Sequence, residues 1–232
     1  RWSPIGASLL VIHSEFDRLV ELYSVAVGGS DVKRLTNTIS DEYAAIDWVI
    51  PEIVEVPSSK VDRPIYSKLY LPPDYDPSKQ YPAVMFVHGA GYTQNAHAGW
   101  PYYFREFMFH TLLARRGVVV IDMDYRASRG IGRDWRAATP LVDPEAYERS
   151  SPIFFAEGLE APLLIAAGMQ DDNVFFQDSV LLVQRLLELQ KEDFEIAIYP
   201  LDPHGFTHAD SWLDEYRRIL KLMDRYVISP SR

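Results

Sequence analysis

The sequence predicts an α/β fold in which a mostly parallel sheet is flanked by helices and preceded by a small antiparallel sheet. From about residue 51 onward, near-continuous apolar strands alternate with helical segments, as in parallel sheets that are covered on both faces. Residues 7–36 instead carry short strands separated by turns, as in antiparallel sheets. With 232 residues and 47% hydrophobic content, the chain can bury a full-sized core.

The N-terminal elements are predicted to be antiparallel strands. "ASLLVIHS" and "RLVELYSVAV" are followed by a Gly28-Gly29 turn and by "DVKRLT", which together have the length of one small blade. "IVEVPS" and "RPIYSKLYLPP" then alternate in hydrophobicity and end in the turn "PPDYDPSKQ", which predicts a further antiparallel pair. We therefore place a partial blade in residues 1–50 and the main domain in residues 51–232.

The main domain is predicted to alternate strands with helices. Apolar strands are predicted at 83–89, 117–125, 161–168 and 194–200. Apolar residues recur at helical spacing in 101–115, 177–190 and 211–227. The interval 126–160 fits neither pattern, because it holds only Gly, Pro, charged residues and short aromatic clusters. So long an irregular connection is uncommon in a compact domain and indicates a functional loop or a lost segment.

Composition and charge exclude several classes of function. The net charge is -10 and the pI is near 5.0, so a basic nucleic-acid-binding surface is not expected. The absence of cysteine excludes disulfides, thiolate catalysis and Cys-based zinc sites, and it leaves the compartment open. No apolar run reaches the roughly 18 residues of a membrane-spanning helix. The chain opens at Arg1 without an initiator Met or a signal-peptide pattern, so we expect a fragment or a processed form.

Polar residues follow two successive strands of the predicted parallel sheet. "GMQDDNVFFQ" comes after the strand at 161–168, and "LDPHGF" comes after the strand at 194–200. Singly, a loop His before Gly is more often a solvated turn residue, and an Asp pair at a helix start is ordinarily a cap. An Asp after one late strand and a His after the next is, however, the chain order of α/β hydrolases, in which the nucleophile precedes both. The combination therefore favours catalysis.

Longer segments carry a more specific resemblance. "YPAVMFVHGAGYTQN", "DMDYRASRGIGRDWR", "SSPIFFAEGLEAPLLIAAGMQDDNVFFQDSVLLVQRL" and "YPLDPHGF" resemble the catalytic domain of the prolyl oligopeptidase family of serine peptidases, closest to its dipeptidyl-peptidase branch. The resemblance runs from about residue 53 to 227 and implies an α/β-hydrolase domain. Residues 7–36 resemble the last part of the β-propeller that precedes this domain in the family, with the other blades absent.

The resemblance implies roles for four residues. Asp171 matches the acid of the catalytic triad, and His204 matches the base. Asn173 matches an Asn that contacts the substrate backbone in dipeptidyl peptidases. His88 stands where that branch usually has a Tyr that donates to the oxyanion hole. An imidazole can donate there if its tautomer is right, and the alternative is a strand-end His that binds a backbone carbonyl.

The nucleophile that the resemblance requires is missing from the sequence. The family places its Ser in a Gly-x-Ser-x-Gly elbow, and no such pentapeptide occurs here. Ser128 matches a different loop of the family, so it is not assigned, and no Cys can substitute for the Ser. From Ala138 the chain passes through "TPLV" to Asp143, where the resemblance implies further strands and helices. On the order of 60 to 100 residues are therefore missing.

These features predict a serine-type peptidase that acts on peptides by acyl transfer and is inactive as written, because it lacks its nucleophile. An esterase-type α/β hydrolase is one alternative, since the same triad cleaves esters and amides, and a non-catalytic binding module is another. No cofactor, metal or nucleic-acid partner is expected. We expect a damaged or rearranged sheet, whose exposed strand edges could aggregate or form a homo-oligomer.

Overall fold

The computed structural model describes residues 6–29, 31–58, 62–89, 93–125, 128 and 144–229. Backbone contacts divide the chain into two compact units, Arg1–Ala137 and Ala138–Arg232. The predicted domain boundary at residue 50 falls inside the first unit and stays a prediction. None of the described helices is long and apolar enough to cross a lipid bilayer.

The first unit begins with a three-stranded antiparallel sheet. Its strands, in order across the sheet, are β1 (Ser8–Glu15), β2 (Arg18–Ala26) and β3 (Val32–Arg34). The turn before β3 contains Gly28 and Gly29, whose φ angles of 107° and 74° are conformations that glycine adopts readily. The antiparallel pairing predicted from the sequence is therefore confirmed.

A short helix and a mixed four-stranded sheet complete the first unit. The elements in chain order are α1 (Asp41–Ala44), β4 (Glu52–Val56), β5 (Ile65–Tyr70), β6 (Ala83–Val87), α2 (Phe104–Arg115) and β7 (Val119–Met123). The strand order is β4-β5-β7-β6, with β6 and β7 parallel and the other pairs antiparallel. Helix α2 crosses from β6 to β7 and buries Phe107, Leu113 and Ala114. Strand β6 and helix α2 thus form the predicted β-α-β arrangement with β7.

The N-terminal sheet contacts the mixed sheet within this unit. The Ser14 hydroxyl accepts a hydrogen bond from the backbone N–H of Trp100 at 3.0 Å. The Phe16 ring, at the turn between β1 and β2, lies 5.5 Å from Nζ of Lys68 on β5. Such contacts join residues 6–29 to the α/β part of the first unit.

The second unit contains the two late strands and their helices. In chain order it consists of α3 (Pro144–Ser150), a 3₁₀ segment (Pro152–Gly158), β8 (Leu163–Gly168), α4 (Phe176–Glu188), β9 (Phe194–Tyr199), α5 (Ala209–Met223) and a π-helical turn (Asp224–Ile228). Strands β8 and β9 are parallel, with Leu163 opposite Phe194 and Gly168 opposite Tyr199. Ala197, Tyr199 and Phe206 form a small core, against which Trp212 packs.

The interval 126–160 is predicted to be irregular, and this prediction is wrong for residues 144–158. Helix α3 and the 3₁₀ segment occupy most of residues 144–158. Both start with a proline, which suits the first helical position because its missing N–H is unbonded there anyway. Both helical segments are only seven residues long, so apolar residues do not recur often enough in them to indicate a helix. The junction from Ala138 to Asp143 lies outside the described residues.

Candidate active site

The second unit brings the loops of Asp171 and His204 together at one edge of its parallel sheet. Asp171 follows β8 and His204 follows β9, and the paired strands end at opposite residues, Gly168 and Tyr199. Because the carboxyl ends of parallel neighbours meet at the same sheet edge, the two loops leave side by side.

Backbone hydrogen bonds join these two loops. The N–H of Met169 donates to the carbonyl of Tyr199 at 2.9 Å, and the N–H of Gln170 donates to the carbonyl of Asp202 at 3.0 Å. At Gly168, an added Cβ would lie 2.3 Å from the Asp202 carbonyl oxygen, so only glycine fits this approach. Backbone contacts alone thus fix the separation of the two loops.

Asp171 and His204 form a direct hydrogen bond. Nδ1 of His204 lies 2.8 Å from Oδ2 of Asp171, and the side chains are 52% and 11% exposed. A carboxylate only accepts, so Nδ1 carries the proton and Nε2 of the neutral ring is left as the acceptor. Within the described residues, Nε2 has no hydrogen-bond partner. The pair therefore presents a half-exposed base that is oriented by an acid.

The second oxygen of Asp171 fixes the acid itself. Oδ1 accepts the backbone N–H groups of Asn173 at 2.9 Å and of Val174 at 2.8 Å. Partial burial opposes ionisation, but the bonds from His204, Val174 and Asn173 outweigh it and hold the pKa of Asp171 below its usual value. Asp171 is therefore an ionised, doubly anchored carboxylate at neutral pH.

Asn173 lies in the turn between Asp171 and helix α4. It is exposed, and its backbone N–H is bound by Asp171. Its side chain is thus carried on the same turn as the acid.

His88 lies at the end of β6 in the first unit, and its side chain is fully buried. Nδ1 is 2.8 Å from the carbonyl oxygen of Gly89, and Nε2 is 3.2 Å from Oδ1 of Asp124 and 3.0 Å from the hydroxyl of Ser128. Burial lowers the pKa of His88, but the bonds to Asp124 and Gly89 outweigh this, and its pKa is raised. Since a carbonyl only accepts, Nδ1 carries a proton, and both ring nitrogens have partners inside the first unit. The contact with Gly89 is of the kind expected for the structural alternative, and the oxyanion role stays a prediction.

Sequence reasoning missed the polar cluster buried around His88. Asp124 accepts the backbone N–H groups of Asn95 at 2.8 Å and Ala96 at 2.9 Å, and the Asn95 amide donates to Asp122 at 3.0 Å. Burial raises the pKa of Asp122 to about 6, against the opposing effect of Asn95 and Lys68. Lys68 Nζ is buried and has no hydrogen-bond partner in the described part of the chain. The available signal was a charged residue inside each of two apolar strands, "SKLY" and "VIDMDY".

Ser128 contacts His88 but is 2% exposed, so a substrate cannot reach its hydroxyl in this conformation. No cluster of three or more His, Asp and Glu side chains that could hold a metal occurs among the residues described. In the described residues, Asp171 with His204 and Asp202 with His208 each pair a half-exposed imidazole with a carboxylate.

Comparison with known proteins places this pair in a family context. Residues 137–229, which include both side chains, match the sequence profile of peptidase S9, the prolyl oligopeptidase family. Over this stretch the chain is similar to the prolyl oligopeptidase family. The family resemblance read from the motifs is therefore confirmed.

Solved structures of several peptidases share the fold. Dipeptidyl peptidase 4 from Porphyromonas gingivalis superimposes with a TM-score of 0.77 at 18% identity, covering 97% of this chain and 43% of its own. The acylaminoacyl peptidase of Pyrococcus horikoshii superimposes with a TM-score of 0.75 at 16% identity, and the match covers 97% of this chain and 49% of that protein. A puromycin-hydrolysing peptidase of Mycobacterium tuberculosis superimposes with a TM-score of 0.73 at 16% identity, and the match covers 96% of this chain and 46% of that protein. The chain thus spans less than half the length of the structures it resembles.

Proposed function

We propose that this chain carries the acid and the base of a serine-type peptidase that hydrolyses peptides by acyl transfer. The observation that carries the proposal is the 2.8 Å contact between Nδ1 of His204 and Oδ2 of Asp171 on loops that follow neighbouring parallel strands. The family match over residues 137–229 and the peptidases among the structural neighbours support this choice of reaction.

In this reaction His204 takes a proton and later returns it. Nε2 removes the hydroxyl proton of a serine as that oxygen attacks the scissile carbonyl, and it then donates the proton to the leaving amine. Asp171 holds the proton on Nδ1 and stabilises the imidazolium that forms, without itself becoming protonated. The two backbone N–H groups on Oδ1 keep the carboxylate in place during both steps.

The proposed peptidase is incomplete in this chain, because the sequence has no Gly-x-Ser-x-Gly elbow. One feature of β6 supports the loss of neighbouring elements. Within the described residues β6 pairs only with β7, and its apolar Met85 and Val87 are 63% and 56% exposed. Strands of parallel sheets are ordinarily covered on both faces, so this surface suits a sheet that has lost part of its covering.

The remaining assignments extend the same proposal. Asn173, exposed on the turn that Asp171 anchors, contacts the substrate backbone, and His88 is the proposed oxyanion-hole donor. The sheet of β1, β2 and β3 is the remnant of a propeller blade, which its antiparallel order supports. The missing serine also favours a second candidate, a non-catalytic module that binds a partner. A saturable partner without hydrolysis would support that candidate.

The substitution Asp171→Asn tests the acid–base pair directly. The asparagine oxygen should keep the N–H groups of Asn173 and Val174, which leaves its NH₂ group opposite His204. An NH₂ group donates, so the neutral imidazole should move its proton from Nδ1 to Nε2, the wrong tautomer for a base.

Long-range ¹H–¹⁵N NMR at a pH where the ring is neutral reads this tautomer. We expect Nδ1–H in the unmodified chain and Nε2–H in D171N. The control is D172N, which changes the neighbouring exposed acid and should leave the tautomer as it was. An identical tautomer in D171N and the unmodified chain would contradict the assignment of Asp171 as the orienting acid.

A further inference from the structure

We propose that Asp202 is a positioning residue that holds the His204 loop in the geometry required for proton transfer. The inference rests on the proposed function, because it assigns to Asp202 a task in the same reaction. Asp202 precedes His204 by two residues and is 1% exposed, whereas the side chain of His204 is 52% exposed. A buried carboxylate thus lies two residues before the half-exposed base.

The carboxylate of Asp202 accepts hydrogen bonds from residues that follow His204. Oδ1 accepts the backbone N–H of Thr207 at 2.9 Å, the backbone N–H of His208 at 3.1 Å and Nδ1–H of His208 at 2.9 Å, with the Thr207 hydroxyl at 3.5 Å. Oδ2 accepts the hydroxyl of Ser211 at 2.5 Å. The chain from 202 to 211 therefore closes around one carboxylate, and His204 lies on that closed segment.

The backbone of Asp202 is bound as well. Its carbonyl accepts the N–H of Gln170, the residue before Asp171, and its N–H donates to Tyr199 at 3.3 Å. One residue thus connects the end of β9, the loop of the acid and the loop of the base. A displacement of Asp202 would be transmitted to both partners of the 2.8 Å contact.

The electrostatics of Asp202 agree with a permanent anchor. Burial raises the pKa of this carboxyl, but the hydrogen bonds from Ser211, His208 and Thr207 outweigh that effect and hold its pKa far below the usual range. It is therefore ionised throughout the pH range in which His204 could work. Charge-assisted bonds of this kind are about twice as strong as neutral ones, so the loop is held more firmly than by its backbone alone.

A simpler role for Asp202 would be to start helix α5 and nothing more. Helix α5 begins at Ala209, and its N-terminal flanking residue is His208, whose N–H Asp202 accepts. The two roles differ in what they predict for Asp171. A helix anchor affects only the stability of α5, whereas a positioning residue also affects the hydrogen bond that lowers the pKa of Asp171.

The test compares Asp202→Asn with Asp202→Ala and with the control Asp210→Asn, an exposed acid in the first turn of α5. The pKa of Asp171 is followed by carboxyl ¹³C NMR in the whole chain, with His204→Ala as the reference for a lost contact. We expect D202N and D202A to raise the Asp171 pKa in the same direction as H204A, and D210N to leave it unchanged. A folded D202N with the Asp171 pKa of the unmodified chain would overturn the inference.

A milder variant keeps the test decisive if the Asp202 variants fail to fold. Ser211→Ala removes one donor from Oδ2 and leaves the carboxylate in place. It should raise the Asp171 pKa by less than H204A does, and no change at all would overturn the inference. Because these readouts require no catalysis, they are independent of whether the proposed peptidase reaction takes place.

Discussion

Single buried charges set the chemistry of the first unit. Asp122 is 3% exposed, and burial raises its pKa to about 6. The unfolded chain releases this proton at a lower pH than the folded chain does. The free energy of unfolding therefore decreases as the pH rises from the pKa of the unfolded chain to about 6. Lys68 opposes this effect, because an ammonium ion near a carboxylate favours the ionised form. Lys68 itself has a pKa lowered by burial, since no hydrogen bond within the described residues offsets its loss of water.

Replacement of Lys68 should reveal this coupling. Lys68→Met removes the charge at similar length, so we expect the pKa of Asp122 to rise above about 6. Lys79→Met is the matched control, because Lys79 is exposed and contacts Asp76 instead. Carboxyl ¹³C titration of Asp122 measures the effect. An unchanged Asp122 pKa in K68M would show that the two groups do not interact.

Among individual residues, Asp171 and His204 were predicted from the sequence, but the buried charged residues Asp202 and Lys68 were not. Order along the chain favoured an acid and a base on successive loops, and the family resemblance implied Asp171 and His204. Asp202 could not be recognised from the sequence, because its partners are backbone N–H groups and hydroxyls. These groups come within hydrogen-bond distance of its carboxylate only in the folded loop. Lys68 lies in a strand that was predicted from alternating hydrophobicity, and only the packed structure shows that it is buried.

The element that positions the candidate site is the parallel pair of β8 and β9. Their shared register places both loops at one edge, and Gly168 lets the loops approach within hydrogen-bond distance. A side chain at Gly168 would meet backbone atoms of Asp202 and Pro203, which cannot rotate away as a flexible side chain could.

Substitution at Gly168 should therefore destabilise the second unit. We expect Gly168→Ala to lower the free energy of unfolding by about 1–3 kcal/mol, because the backbone must shift to admit the Cβ. Gly158→Ala is the control, since nothing lies within 4 Å of its added Cβ, and it should change stability by about 0.5 kcal/mol or less. Urea unfolding of both variants measures the difference. Equal stability of G168A and G158A would contradict the close approach.

The strands and long helices were predictable because each repeats one period over many residues. Apolar runs marked β6 to β9, and helical spacing marked α2, α4 and α5, with ends displaced by a few residues. Helix α1 and the 3₁₀ segment are too short to show a period. The helical second half of interval 126–160 was missed for the same reason.

The whole chain shares its fold with solved peptidase structures and spans less than half of their length. The fold was predictable from the alternation of strands and helices, whereas the assignment of the acid and the base needed the family resemblance. The arrangement of the first unit was not, since contacts such as Ser14 with Trp100 join segments that are distant in sequence. We propose that the acid and the base are assembled in a chain that has no Gly-x-Ser-x-Gly elbow for their serine.

Treatment with a fluorophosphonate probe followed by intact-mass spectrometry tests this claim most directly. A complete serine hydrolase treated in parallel should be modified, whereas the mass of this chain should stay unchanged, because it has no activated hydroxyl. The variants His204→Ala and Ser128→Ala identify the source of any adduct. An adduct on a serine of this chain that disappears in H204A would contradict the account, since it would show that the chain supplies its own nucleophile.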